Sequence, residues 1–364
     1  MMIKYRKEVE NLRPYIPGKS IDEVKQTYGL THIVKLASNE NPLGCSELAK
    51  QSIIESLKEP SYYPDGNCTA LREKLANKYN LNPNQFIFGA GSDEIINMIA
   101  KTYVAKDDEV ITGDITFPQY KAGTLQMGGK IIEVPLKAHT FDLDGILKRI
   151  TEQTRVIFIA NPNNPTGTMV NAAKQLDFLN QVPGDILVVM DEAYVEYIRD
   201  SNFPQTISLL HQYPNIMVLR TFSKMYGLAS MRIGFGIGHE DVIEKINRIR
   251  GPFNVTTAAQ VAAVAALDDE AFVQRTYEVN ETSKAYTYSR CHELNLSYIE
   301  TYGNFVMIDF GRPSPEMFEA LQSQGYIVRP GHNLGMPGYQ RVTLGTEEQM
   351  VAFFDVVETI LNNG

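Results

Sequence analysis

The sequence predicts an α/β protein with a mostly parallel, mixed sheet between helices, followed by a smaller α+β domain. Short apolar runs alternate with segments of helical period from about residue 71 to residue 250. Several of these runs are apolar without a break, which is typical of strands buried on both faces. The chain has 364 residues, 43% of them hydrophobic, which is enough for about two domains with a large core.

The first predicted domain contains seven strands with helices between them. Apolar residues recur at helical spacing over 71–79 and 94–104, which predicts two helices. Runs rich in β-branched and aromatic residues predict the strands. These strands span 86–88, 109–112, 130–134, 156–159, 186–190, 216–219 and 233–235.

A Gly251-Pro252 pair interrupts a helical stretch and predicts a domain boundary near residue 255. We therefore expect a large, ligand-binding domain over 34–254 and a small C-terminal domain over 255–364. The first 33 residues form an irregular arm that we expect to fold onto the small domain or onto a partner chain. In the small domain, helices and strands are predicted over 257–267, 305–310, 316–324, 326–329, 340–344 and from residue 347 onward.

Composition argues against several classes of partner. There are 34 Lys and Arg against 43 Asp and Glu, a formal charge of −9, and no Lys/Arg-rich run, so we expect no nucleic-acid partner. No run of about 18 apolar residues occurs, and the charged N-terminus is unlike a signal peptide, so we expect no membrane partner. Three widely spaced cysteines favour a reducing, cytoplasmic location, and six histidines without metal-ligand spacing predict no metal site.

Polar residues follow four of the predicted buried strands. In open α/β sheets, ligands bind beyond the carboxyl ends of the strands, so these residues are the candidates for a functional site. The four segments are Gly89-Ala90-Gly91-Ser92-Asp93-Glu94, Asn161-Pro162-Asn163-Asn164-Pro165-Thr166-Gly167, Asp191-Glu192-Ala193-Tyr194, and Thr221-Phe222-Ser223-Lys224 with Arg232 further on.

Each segment taken alone has an ordinary structural explanation. The glycines before Ser92 could cradle a phosphate on backbone N–H groups, or they could form a turn in which Ser92 or Asp93 caps a helix. Lys224 after a buried strand needs a partner, a lowered pKa or a covalent role, unless it is a solvated surface lysine. Asp191 must be paired or hydrogen-bonded there, and an N-cap role would also satisfy it.

Together the segments supply the groups that pyridoxal 5′-phosphate (PLP) requires. An amine can bond the cofactor, a carboxylate can hold its pyridine nitrogen protonated, and Ser, Arg and glycine-loop donors can bind its phosphate. A protonated ring nitrogen makes the ring an electron sink, so Asp191 would stabilise the charge left when Lys224 removes a substrate proton.

These motifs resemble, in order and spacing, those of the fold-type I aminotransferases, which are PLP-dependent transferases. The resemblance implies that Lys224 forms the Schiff base and shuttles the proton, and that Asp191 contacts the pyridine nitrogen. It also implies that Asn161 and Tyr194 contact the phenolate oxygen and that Phe117 stacks on the ring. The residues it places around the phosphate are Ser92, Asp93, Ser223 and Arg232.

A narrower resemblance covers nearly the whole chain. The segments 12–18, 38–44, 63–66 and 341–345 are similar to those of the histidinol-phosphate aminotransferase family. The resemblance implies a homodimer in which Tyr63 reaches the cofactor phosphate of the neighbouring subunit. It also implies that Tyr15, Asn161, Arg329 and Arg341 bind the substrates.

The activity implied by this resemblance is transamination in histidine biosynthesis. L-Histidinol phosphate and 2-oxoglutarate would be converted to imidazole acetol phosphate and L-glutamate. The alternatives are an aromatic amino acid aminotransferase or, further away, a phosphothreonine decarboxylase or a non-catalytic PLP-binding regulator.

Overall fold

The fold is an α/β domain joined to a smaller α+β domain, and the computed structural model describes residues 3–12 and 19–363. Its strands are β1 (Val34–Lys35), β2 (Phe86–Gly89), β3 (Glu109–Gly113), β4 (Lys130–Val134), β5 (Thr154–Ala160), β6 (Leu187–Asp191), β7 (Ile216–Thr221), β8 (Gly234–Gly238), β9 (Ser297–Ile299), β10 (Phe305–Asp309), β11 (Tyr326–Ile327), β12 (Arg329–Pro330) and β13 (Tyr339–Thr343).

The helices alternate with these strands in the first half and flank them in the second. They are α1 (Ile21–Tyr28), α2 (Glu47–Ser56), α3 (Thr69–Tyr79), α4 (Ser92–Tyr103), α5 (Gln119–Gln126), α6 (Leu143–Leu147), α7 (Ala172–Gln181), α8 (Glu240–Asn247), α9 (Thr257–Ala266), α10 (Glu270–Glu293), α11 (Ser314–Ser323) and α12 (Glu347–Asn362). Short 3-10 helices span Lys7–Asn11, Pro83–Gln85, Val195–Tyr197, Thr206–Leu209, Ala229–Met231 and Gly331–Leu334.

The large domain is built on a seven-stranded sheet with the order β2-β8-β7-β6-β5-β3-β4. Strand β8 runs antiparallel to both of its neighbours, and the other adjacent pairs are parallel. Ile157, Val189 and Val218 on the central strands are fully buried, as their unbroken apolar runs predict. The predicted mostly parallel, mixed sheet is therefore confirmed, and the carboxyl ends of β5, β6 and β7 lie side by side.

Several helices begin at a polar residue whose side chain accepts a hydrogen bond from the backbone of the first turn. Ser46 accepts from Ala49 at the start of α2, and Thr256 accepts from Ala259 at the start of α9. Such caps satisfy one N–H group that the helix itself leaves unpaired. Helix α4 is different, because it begins after Gly91 without a side-chain cap.

The small domain contains a four-stranded antiparallel sheet, β12-β13-β10-β9, and a parallel pair, β1-β11. Val34 and Leu36 lie in its core, and Val24 of α1 packs against Ile327. The chain from α1 to about residue 37 therefore belongs to the small domain. The predicted start of the large domain at residue 34 lies a few residues before the point where the chain leaves the small-domain core. Near the N-terminus, Arg6 instead donates to the Gln126 carbonyl of the large domain at 2.9 Å.

The predicted boundary at residue 255 does not coincide with the division between the two hydrophobic cores. Helix α9 is almost entirely apolar, and its buried alanines pack into the large-domain core with Ala49 of α2 and Leu71 of α3. The division falls within α10, whose early residues Val273 and Tyr277 contact the large core. Near the end of α10, Cys291 lies in the core of the small domain. Among the described residues, no helix has the length and apolar character needed to cross a membrane.

Candidate active site

A cavity of about 470 Å³ lies where the two domains meet, beyond the carboxyl ends of β5, β6 and β7. Its wall from the small domain includes β12 and β13 and the segment 37–39. Most of the residues predicted for the site line this cavity: Ser92, Asp93, Phe117, Asp191, Tyr194, Ser223, Lys224, Arg232, Arg329 and Arg341. Residues that are far apart in the chain thus come together, most of them beyond the strand ends of the seven-stranded sheet and the two arginines on the small-domain wall.

Lys224 follows β7 and is half-buried at the floor of the cavity. Its Nζ donates to the carbonyl of Ser38 at 2.9 Å. Burial, reinforced by the positive charge of Arg341, lowers the pKa of Lys224 to about 8. A neutral amine, which is the nucleophilic and proton-accepting form, is therefore accessible near physiological pH. The hydroxyl of Thr221 accepts from the backbone N–H of Ser223 at 3.1 Å, so it shapes the turn that carries the lysine.

Asp191 is the last residue of β6 and is 5% exposed. Burial raises the pKa of Asp191 to about 6, and the hydrogen bond from Tyr120 opposes that rise. Tyr120 donates to Oδ2 of Asp191 at 2.7 Å and stacks on Phe158 with ring centroids 4.7 Å apart. A buried carboxylate held in this way is suited to pair with a cationic ring nitrogen.

Tyr120 was not among the residues predicted for the site. Its position three residues after Phe117 was visible in the sequence, but nothing local showed that its hydroxyl would reach β6. The edge-to-face contact between the rings of Phe117 and Tyr120, 5.7 Å between centroids, connects the two residues on the same wall.

The start of α4 and Arg232 form a cradle for an anion. Gly91 has a φ of +80°, and a Cβ atom there would lie 2.5 Å from Nη2 of Arg232, so only glycine leaves this space open. The first N–H groups of α4 have no side-chain cap, and Ser92 and Ser223 add hydroxyl groups. Arg232 lies 3.8 Å from Asp93, whose pKa burial raises. This set of donors fits a phosphate dianion.

Asn161 is not among the residues that line the cavity, and its predicted contacts with cofactor and substrate stay predictions. Its side chain is fully buried and both ends of its amide bond the backbone of Val170, at 3.0 Å and 2.9 Å. Asn164, in the same segment, lines the cavity instead. Its Nδ2 donates to the Tyr194 hydroxyl oxygen at 3.4 Å and its Oδ1 accepts from Arg341 at 2.7 Å. The sequence motif contains three asparagines, and their spacing alone does not show which one turns inward.

Arg341 and Arg329 are direct neighbours on β13 and β12. Arg341 is 7% exposed and donates to Asn164 and to the carbonyl of Ala37, each at 2.7 Å. Its guanidinium also lies over the ring of Phe305, 5.4 Å from the centroid. Two arginines on one wall are suited to carboxylates and phosphates, because each guanidinium presents parallel N–H donors. The predicted substrate contact Tyr15 lies outside the described residues.

Tyr63 is not part of the cavity that its own chain forms. It is 81% exposed and stacks on Phe253 with centroids 4.7 Å apart. Its predicted contact with the cofactor phosphate therefore depends on a second chain.

Comparisons with known proteins agree with this geometry. The family model described as "Aminotransferase class I and II" matches residues 31–357. A histidinol-phosphate aminotransferase of Caldicellulosiruptor saccharolyticus is 50% identical over 357 residues, covering 98% of this chain and 100% of the relative. The chain belongs to the histidinol-phosphate aminotransferase family. The resemblance that the sequence motifs indicated is thereby confirmed, as is the expectation of an aminotransferase.

Further relatives extend the comparison to solved structures. The histidinol-phosphate aminotransferase of Bacillus subtilis is 44% identical to this aminotransferase, covering 99% of this chain and all of the relative. The structure of the Sinorhizobium meliloti enzyme in complex with PLP matches with a TM-score of 0.91 at 23% identity, covering 100% of this chain and 99% of that one. Aspartate aminotransferase from Thermus thermophilus with maleate matches with a TM-score of 0.85 at 20% identity, covering 99% and 100%. These two structures show the shared fold.

Proposed function

We propose that this aminotransferase uses PLP to transfer an amino group from L-histidinol phosphate to 2-oxoglutarate, giving imidazole acetol phosphate and L-glutamate. The observation that carries the proposal is the meeting of Lys224, Asp191 and Arg341 at one cavity. When bound, the cofactor supplies an aldehyde that reacts with amines and a ring that withdraws electrons from the substrate carbon bearing the amino group.

Residues of the chain bind the cofactor ring and transfer the substrate proton. Asp191 holds the proton of the ring nitrogen, and Phe117 supplies an apolar face against which the ring lies. Tyr194 and Asn164 bind the ring oxygen. Lys224 would take the proton from the substrate carbon that carries the amino group, as a general base, and would deliver it to the former aldehyde carbon of the cofactor, as a general acid.

The phosphate cradle anchors the cofactor while the substrates exchange. Ser92, Asp93, Ser223 and Arg232 hold the phosphate, with Asp93 contributing through its backbone N–H. The strong hydrogen bonds of a doubly charged phosphate keep the ring in place even when its covalent bond to Lys224 is broken.

Arg329 and Arg341 bind the anionic end of either substrate, the phosphate of histidinol phosphate or a carboxylate of glutamate. The planar pairs of N–H donors on a guanidinium can bind either of these oxyanions. Lys19 and Lys35 also line the cavity, and Lys35 pairs there with Glu40. Their positive charges and the proposed contact from Tyr15 favour the more highly charged phosphate.

The substrate assignment is tested by an anaerobic spectral titration of the PLP-loaded protein with L-histidinol phosphate and, in parallel, with L-phenylalanine. We expect the phosphate ester to remove the visible cofactor band efficiently and phenylalanine to act much more weakly. The opposite order would make the protein an aromatic aminotransferase. The absence of any visible band would overturn the cofactor assignment.

The pH dependence of cofactor attachment provides an independent test of Lys224. The pKa of Lys224 lies below its ordinary value, so the amine gains its reactive neutral form as pH rises through about 8. We expect the rate of covalent PLP attachment to the apoprotein to rise across this range, measured by stopped-flow absorbance. A midpoint near pH 10.5, that of an ordinary lysine, would contradict the lowered pKa.

We also propose that the active protein is a homodimer in the cytoplasm. Large apolar side chains are exposed over residues 54–63 and at Phe253, and such a patch favours a protein partner. The proposed partner is a second copy, whose Tyr63 completes the phosphate cradle. Three cysteines that form no disulfide within the described residues agree with a reducing compartment.

Mixing two impaired variants tests this shared site. Lys224→Ala removes the amine of its own site, and Tyr63→Ala weakens the cofactor phosphate contact of the neighbouring site by about 10-fold. A hybrid dimer then contains one site with both native residues. We expect the activity of refolded mixtures at subsaturating PLP to exceed the sum of the activities of the two variants measured separately.

The control for that experiment is Tyr62→Ala, which removes a neighbouring exposed tyrosine that has no assigned contact. This variant should retain full PLP affinity without mixing. Mixtures of the two impaired variants that show only the sum of their separate activities would contradict a contribution of Tyr63 across the interface.

A further inference from the structure

Asn39 connects the small domain to Tyr194 at the active site. It lies between β1 and α2, is 1% exposed and has a φ of +55°, a left-handed conformation that asparagine tolerates better than most residues. Its Nδ2 donates to the Tyr194 hydroxyl oxygen at 2.9 Å. The carbonyl of Asn39 also accepts from Nδ2 of Asn304 at 3.1 Å, so the segment is held on several sides.

The hydrogen bonds of Thr343 determine which end of the Asn39 amide faces Tyr194. The backbone N–H of Asn39, which can only donate, bonds Oγ1 of Thr343 at 3.0 Å. The single proton of that hydroxyl is then available for Oδ1 of Asn39, 3.1 Å away. The oxygen end of the amide is thereby assigned to Thr343 and the N–H end to Tyr194.

The orientation of Asn164 is determined in the same way. Arg341 has donors and no acceptor, so the Asn164 atom that it contacts at 2.7 Å is the amide oxygen. The Nδ2 of Asn164 is therefore the atom that approaches the Tyr194 oxygen, at 3.4 Å. Two amide N–H groups from opposite domains converge on one phenol oxygen.

A phenol has one proton to donate, and neither amide nitrogen can accept it. The proton of Tyr194 is therefore left to point toward the cavity that this side chain lines. We propose that Asn39 is a positioning residue that makes Tyr194 donate its hydroxyl proton to the ring oxygen of the bound cofactor. This inference rests on the proposed contact between Tyr194 and PLP.

The charges around Tyr194 are compatible with this role. Burial raises the pKa of Tyr194, while Arg341 and the hydrogen bond from Asn39 oppose that rise. The negative charges of Asp191 and Asp93 also raise the pKa of Tyr194. Nζ of Lys224 lies 5.9 Å from the centroid of the Tyr194 ring. The phenol thus stays protonated at neutral pH, and the direction of its proton becomes the property that Asn39 controls.

Asn39→Asp replaces the amide N–H by an acceptor of nearly the same shape that also tolerates the left-handed backbone. The Tyr194 proton would then turn toward residue 39 and away from the cofactor. Loss of that donated bond leaves the ring oxygen a better proton acceptor. We expect the pH midpoint of the visible absorption change of bound PLP to rise by about one unit.

The added charge of an aspartate would raise this midpoint by itself, so two further variants are needed. Asn39→Gly removes the donor without adding charge and should raise the midpoint by a smaller amount. In a Tyr194→Phe background the effect of Asn39→Gly should disappear, because there is no hydroxyl proton to direct. Equal shifts in both backgrounds would overturn the proposal.

Thr343→Val keeps the test decisive if the Asn39 variants fail to fold. It leaves Asn39 in place but removes the hydroxyl that assigns its amide, so the amide can rotate and the midpoint should again rise. The role of Asn39 would be overturned if the midpoint stayed unchanged in every Asn39 and Thr343 variant that folds but rose in Tyr194→Phe. That result would leave the cofactor assignment intact. A protein without the visible band would instead overturn the proposed function.

Discussion

Replacing Lys224 with alanine should reduce transamination by about 10⁴-fold, the upper range of what one general acid–base group contributes. The variant lacks both the amine that bonds the cofactor and the group that moves the substrate proton. PLP should still bind through Asp191 and the phosphate cradle, although more weakly. Single-turnover rates with L-glutamate, followed by absorbance, would measure this loss.

A small exogenous amine such as methylamine should restore part of the lost rate, because it can enter the space left by the side chain and accept the proton. The matched control is Lys245→Ala, which removes an exposed lysine of α8 that does not line the cavity and should leave the rate unchanged. Near-normal turnover in Lys224→Ala would contradict the assigned role.

Arg341→Ala should lower kcat/KM by about 100-fold for both glutamate and histidinol phosphate. The expected size corresponds to the loss of about one to two hydrogen bonds between charged groups. In the proposed function the arginine binds the anion and does not contact the reacting carbon, so most of the effect should appear in KM. Steady-state kinetics with each substrate in turn would measure it.

Arg341→Lys is the informative companion variant, since it keeps the charge and loses the planar donor pair. It should recover only part of the affinity. The control is Arg248→Ala, whose guanidinium pairs with Glu244 on the exposed surface of α8. Unchanged affinity for both anions in Arg341→Ala would show that the substrate end lies elsewhere in the cavity.

The large-domain sheet could be predicted because its strands are marked by local composition. The unbroken apolar run before Asp191 and the one before Thr221 need no knowledge of the rest of the chain. In an open α/β sheet, ligands bind beyond the carboxyl ends of such strands, so the residues that follow the two runs were the candidates for a site. The positions of Lys224 and Asp191 could therefore be read from sequence alone.

Features that depend on long-range packing were not predictable in this way. Asn161 and Asn164 have the same side chain, and only the path of the backbone between them shows which one reaches Tyr194. Tyr120 reaches Asp191 across 71 positions of sequence. The apolar helix α9 carries no local mark of the domain in which it is buried, so its sequence alone did not assign it to the large-domain core.

The pairing of β1 with β11 has a consequence for the order in which the protein forms. Val34 is opposite Tyr326, so β1, near the beginning of the chain, can pair only after β11, near its end, has been synthesised. During synthesis, the seven-stranded sheet can assemble as soon as β8 has left the ribosome, since its strands all lie between β2 and β8. The wall of the cavity that carries Arg329 and Arg341 is added last. The nascent chain therefore contains the strand edge that leads to Lys224 before it contains Arg329 and Arg341.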